Sequence, residues 1–140
     1  MSDARLPSAT LLRRLAALLY ESLLVAAVLL ITVLLPQAAL GALAGILLPG
    51  RAVALHCFLT LLAYFVWFWM HGGQTLATKT WRIRLVDASG GKPRLGQAVL
   101  RFLAAWFSVP LGIGILWALV DGDRQFLHDR IAGTRLVTAN

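Results

Sequence analysis

The chain has 140 residues, of which 59% are hydrophobic and 14% charged, with a mean hydropathy of +0.78. This composition excludes an ordinary soluble domain, because the apolar excess lies in uncharged blocks and not along one face of amphipathic helices. A formal net charge of +7 would suggest a nucleic-acid partner in a soluble protein, but the basic residues fall between the hydrophobic blocks, as orientation in a bilayer demands, and no nucleic acid is expected.

The first block, residues 22–50, runs 29 residues without Asp, Glu, Lys or Arg, more than the roughly 20 a helix needs to cross about 30 Å of hydrocarbon. Two registers fit it. One starts near Leu11, ends before Pro36 and places Glu21 in the bilayer; the other starts near Glu21 and passes a kink at Pro36 toward Leu48. Proline removes a helix-interior hydrogen bond, so both registers predict a break near Pro36. Arg13 and Arg14 ahead of the block and the small residues Ala42-Leu43-Ala44 resemble a secretory signal, but the apolar run is too long for one and no cleavage is expected.

Pro49-Gly50 reads as a turn into a second charge-free block, residues 52–70, which ends in Tyr64, Phe65, Trp67, Phe68 and Trp69. These aromatics read as an interfacial belt. His56 reads as a hydrogen-bonding group between helices, and the lone Cys57 as a small buried hydrophobe. Gly72-Gly73-Gln74-Thr75 can end the helix. Beyond it Trp81, Ile83 and Leu85 alternate with Arg82 and Arg84, the two-residue period of a short strand over residues 81–87, followed by a turn at residues 88–93. Leu95, Val99, Phe102, Leu103 and Trp106 resume helical spacing in an interfacial helix, with Arg101 expected at headgroup level.

The third block, residues 102–120, is interrupted by Pro110, Gly112 and Gly114. A straight crossing places the C-terminal tail outside. A broken or re-entrant segment returns it to the cytoplasm, where Thr134–Thr138 can pair with the strand over residues 81–87. The reading is an all-α integral membrane protein with three hydrophobic segments and a short cytoplasmic β element.

Orientation follows from the basic residues. Arg5, Arg13 and Arg14 precede the first block, the first loop holds only Arg51, and the second carries Lys79, Arg82, Arg84, Lys92, Arg94 and Arg101. The positive-inside rule therefore places the N-terminus and the second loop in the cytoplasm, where these side chains form a basic surface facing anionic lipid headgroups. The expected location is the bacterial cytoplasmic (inner) membrane, with multiple passes.

Three pieces carry a family resemblance: Arg14-Leu15-Ala16-Ala17-Leu18-Leu19-Tyr20-Glu21; Gly72-Gly73-Gln74-Thr75-Leu76 through Trp81-Arg82-Ile83-Arg84-Leu85-Val86-Asp87; and Leu127-His128-Asp129-Arg130-Ile131-Ala132-Gly133-Thr134. Together they are similar to the RDD family of small bacterial membrane proteins, over nearly the whole chain, so residues 1–140 read as one RDD-like domain. Arg14 matches the family's Arg and Asp129 its second Asp. Glu21 stands where the first Asp is usual, and Ala77-Thr78 replaces the Gly and small or basic residues often found there. The resemblance implies a polytopic membrane protein with a suggested transport role, cation/proton antiport being proposed for some members.

Arg14 and Glu21 lie seven residues apart, on one helix face and about 10 Å apart along the axis, too far for a direct bond. A carboxylate inside a membrane helix is costly, so Glu21 is a candidate for proton or cation handling or for a structural pair. Asp129 either joins Arg14 and Glu21 in a charged cluster at the cytoplasmic ends of the helices or anchors the tail. His128 is a candidate proton relay that could titrate near neutral pH. His56, Cys57, His71 and His128 lack paired ligand spacing, and no nucleotide or nucleophile motif occurs, so no metal, no cofactor and no enzyme activity are expected. The reading is a noncatalytic accessory or assembly subunit of a membrane complex, acting with another membrane protein or as a homo-oligomer; the alternative is an oligomeric transporter performing cation/proton antiport, because three short helices alone enclose no polar route.

Overall fold

The computed structural model describes residues 6–139, leaving Arg5 of the basic N-terminal tail outside the described residues. Thr10 caps the first helix by accepting from the Arg13 amide at 3.4 Å, and α1 runs from there over Leu11–Leu29. A single π-helical turn at Leu30–Leu34 joins it to α2, Leu35–Ala44. The expected break at Pro36 does not occur, and the helix combines the start of one register with the far end of the other. Pro36 lies in the first turn of α2, and the wide turn just before it, in which the Leu35 amide donates to the Leu30 carbonyl, re-pairs the backbone that proline would leave open.

Gly45, in the left-handed region at φ 65°, ends α2, and Pro49 leads into α3, Gly50–Met70. The combined first helix has 34 residues and α3 has 21, and both are long and apolar enough to cross a membrane. At 1.5 Å per residue they are about 51 and 32 Å long, so the first exceeds the hydrocarbon thickness of about 30 Å.

After α3, a capping box between Thr75 and Thr78 starts the short helix α4, Leu76–Thr80, which the alternation beginning at Trp81 does not predict. The strand is correspondingly shorter, β1 at Ile83–Asp87. Gly73 permits its docking: its amide donates to the Phe68 carbonyl and its carbonyl accepts from Leu85, while its φ of 72° and the closeness of the Leu85 carbonyl exclude a Cβ. The third block forms α5, Leu95–Ser108, and α6, Ile113–Val120, bent by 101° at residues 109–112. Gly114 tightens this corner, since a Cβ there would strike the Ser108 hydroxyl.

The chain closes with α7, Leu127–Ala132, and β2, Thr134–Thr138. β2 pairs antiparallel with β1 in the register Ile83↔Thr138, Leu85↔Leu136, Asp87↔Thr134. Ser8 bridges Val137 on the other edge of β2, and the amides of Ala9 and Thr138 extend this contact to Leu136 and Pro7. The start of α1, the end of α3 and the C-terminal strand therefore meet at one end of the molecule, as the re-entrant reading of the third block requires.

The core sits at that sheet end, where Ala9, Ala17, Trp69, Ile83, Leu85, Ala98, Phe102, Ala118, Phe126 and Leu136 form one buried cluster. At the far end of the first helix only Val33 is buried between Leu30 and Ala44, and Leu34, Leu35 and Leu43 are exposed. His56 is exposed on α3 rather than bonded between helices. The structure is a helical membrane protein with a small two-stranded sheet.

Candidate functional site

Charged side chains are buried on α1, α5 and α7 at the sheet end of the molecule. On α1 the inward face carries Arg14, Ala17 and Glu21, three and then four residues apart. On α5 it carries Ala98, Arg101, Phe102 and Ser108. Of the apolar residues whose spacing predicts this helix, Phe102 is buried while Leu95, Leu103 and Trp106 are exposed. In a membrane the large apolar side chains face lipid, and small or polar ones line the helix contacts.

Arg101 is one of these buried charges and does not belong to the basic surface. Its Nε donates to Asp129 Oδ1 at 2.7 Å, with Asp129 fully buried. Its guanidinium stacks over the Trp69 ring at 4.4 Å, so one member of the expected aromatic belt serves as an internal cation partner. Nη2 of Arg101 also lies 3.4 Å from His128 Nε2. His128 Nδ1 in turn lies 3.2 Å from the Ser108 hydroxyl. This arrangement suits a neutral imidazole whose Nε2 accepts from Arg101 and whose Nδ1–H donates to Ser108.

Burial, with the neighbouring Arg101 cation adding to it against the pull of Asp129, lowers the His128 pKa from 6.5 to about 4. At neutral pH the ring is uncharged, contrary to the expectation that it titrates there. Asp129 Oδ2 is buried without a hydrogen-bond partner, 3.9 Å from His128 Nε2. Thr134 at the start of β2 reaches Asp129 Oδ1 at 3.4 Å, tying the sheet to the ion pair.

Arg14 is 2% exposed and makes no ion pair among the described residues. It donates to backbone carbonyls instead: Nε to Ala9 at 2.8 Å, Nη1 to Arg124, and Nη2 to Asp123 at 3.5 Å. It thereby fastens the start of α1 to the loop between α6 and α7. Glu21 turns the other way. It accepts from the Tyr64 hydroxyl at 3.0 Å and from the Thr75 hydroxyl, joining α1 to α3 and to the cap of α4. Arg14, Glu21 and Asp129 are thus all buried without bonding to one another. Of the three, Asp129 alone is ion-paired among the described residues, to Arg101.

Two further groups make polar contacts at this end. Buried Gln125 pairs with the backbone of Leu136 in β2, accepting its N–H at 3.0 Å and donating to its carbonyl at 3.4 Å. Arg130 clamps Asp121 through two bonds of 2.9 Å and also reaches Asp123, and this holds the Asp121 carboxyl below its ordinary range. Lys79, Arg82, Arg84, Lys92 and Arg94 are exposed. Signals for Arg101 and Ser108 were present in the sequence: both share a seven-residue rhythm with the small residues Ala98 and Ala105.

A cavity of about 590 Å³ opens beside these buried groups, walled by α1, α3, α5 and the α5–α6 corner, with Arg14, Glu21, Arg101 and His128 in its lining. Among the described residues no group of three His, Cys, Asp or Glu side chains could hold a metal ion.

Comparison with known proteins gives one family and one relative of note. The sequence profile of the RDD family matches residues 8–133. The Uncharacterized protein RP437 of Rickettsia prowazekii (strain Madrid E) is 41% identical over 80 residues, which span 56% of this chain and 44% of the relative. The match therefore covers less than half of that protein. No solved structure matches the chain.

Proposed function

The chain belongs to the RDD family, and from that premise we propose that it is a noncatalytic accessory or assembly subunit of a complex in the bacterial inner membrane, crossing it more than once with its N-terminus in the cytoplasm. The observation that carries this reading is that each of the buried charges is held by groups of the fold. Arg101 is held by Asp129, Arg14 by three carbonyls and Glu21 by two hydroxyls, all at the sheet end. Between Glu21 and Arg51 the sequence offers no charged residue to carry a cation or proton farther. Such an arrangement supports a fixed plug that locks helices and sheet together more than it supports a moving relay.

Native purification in mild detergent tests the proposal. The expected result is co-elution of a second membrane protein in fixed stoichiometry, whose own stability in detergent falls when this chain is omitted. A stable oligomer of this chain alone, with cation-dependent proton flux in proteoliposomes that Glu21→Gln abolishes, would instead establish the antiport alternative. Orientation is tested in a Cys57→Ser background by Ser89→Cys and Ala139→Cys. Both positions should resist an impermeant thiol reagent added to intact cells and react after the membrane is opened, because nine of the thirteen basic residues lie in the tail and second loop.

A further inference from the structure

We propose that the cavity between α1, α3 and α5 is a binding site for a single-chain anionic amphiphile, a long-chain carboxylate whose head meets Arg101 and whose tail lies along the apolar wall. Its volume of about 590 Å³ falls within the range of roughly 300–1,000 Å³ typical of small-molecule sites. Its apolar wall includes Leu18 and Val25 of α1, Leu61 of α3 and Trp106 of α5, and it reaches Ile83 and Leu136 of the sheet. That composition suits one acyl chain lying alongside the helices.

Charge selects the head. The lining holds two guanidinium groups, Arg14 and Arg101, against one carboxylate, Glu21, whose oxygens are already taken by Tyr64 and Thr75. Asp129 is engaged on the Nε side of Arg101 and does not line the cavity. Arg101 is 8% exposed and spends two of its five N–H groups on Asp129 and His128, and Nη1 makes no hydrogen bond among the described residues. A nearly buried guanidinium with spare donors in the lining of an otherwise apolar cavity fits a carboxylate, which it can bind through two parallel bonds. The site goes beyond the accessory role and does not depend on it.

The test is a titration of the delipidated full-length protein, in nonionic detergent, with palmitate, with hexadecanol of the same chain length, and with phosphatidylglycerol, following heat unfolding and calorimetry. Palmitate should bind saturably at one per chain and about tenfold tighter than hexadecanol, the gain of one charge-assisted head contact. Arg101→Gln should erase that preference. Because this variant also breaks the Asp129 pair and can fail to fold, two cavity-filling variants from opposite walls, Ala105→Trp and Ser22→Trp, provide a second arm; either should abolish palmitate binding while its own unfolding temperature stays close to wild type. Equal affinity for palmitate and hexadecanol, palmitate binding that survives both Trp substitutions, or phosphatidylglycerol binding as tightly as palmitate would each overturn the proposal.

Discussion

The two ends of the long N-terminal helix obey opposite rules. At the sheet end α1 turns Arg14, Ala17 and Glu21 inward and leaves Leu12, Leu19 and Leu23 exposed, whereas between Leu30 and Ala44 only Val33 is buried. The first end is specified by directional bonds from α1 to α3, α4 and the loop before α7. The second is specified by length and hydrophobicity alone, because lipid satisfies a leucine as well as protein does. Stability and uniqueness should therefore concentrate at the sheet end.

The sharpest way to break this contrast is to cut the Arg101–Asp129 pair. Asp129→Asn or Arg101→Gln should each lower stability in detergent by about 3–5 kcal/mol, since one removal leaves the other charge buried alone, and Arg101→Leu/Asp129→Leu should recover much of that loss. Chemical or thermal unfolding followed by circular dichroism measures this, and additive losses in the cycle would mean the two charges are solvated. Glu21→Leu should rank next, costing about 1–3 kcal/mol by leaving the Tyr64 and Thr75 hydroxyls without their acceptor.

Acid should act on the same end. His128 is neutral in the fold with a pKa of about 4, against 6.5 when unfolded, so its contribution is complete above pH 6.5 and is lost as pH falls from there toward 4. Asp121 and Asp87, whose carboxyls are held below their ordinary range by Arg130 and by Ser89 with Gly91 respectively, lose their contributions at lower pH still. The difference in unfolding temperature between wild type and His128→Gln should therefore shrink between pH 6.5 and 4; a constant difference would show that His128 carries no linked proton. At the far end, Leu34→Ala and Leu43→Ala should change stability by no more than about 0.5 kcal/mol, and a larger loss would reveal packing there that lipid does not supply.

The family, the membrane class and, under the broken reading of the third block, the pairing of residues 134–138 with the strand over 81–87 were legible in the sequence, from motif pieces, uncharged length, two-residue alternation and a Pro-Gly-Gly interruption; the register was not. The site was legible only in part. Arg14, Glu21 and Asp129 stand out as charges in or beside apolar segments, but their bonding partners do not. Thr75, Tyr64 and the carbonyls of Arg124 and Asp123 are 43 to 110 residues away along the chain. Pro36 misled because a π-turn five residues long repairs what a proline opens, and a period of 3.6 does not announce such a turn.

Arg101 misled for a different reason. By composition it is one more cation in a basic loop, and the positive-inside rule counts it without asking which way it points. Sequence by itself thus determined that the chain is a membrane protein and which segments are long and apolar enough to cross, because transfer of apolar length into hydrocarbon is additive along the chain. Only the tertiary structure decided which charges are buried and with whom, because a buried charge is tolerable solely where folding brings its counter-charge, a carbonyl or a hydroxyl within bonding distance.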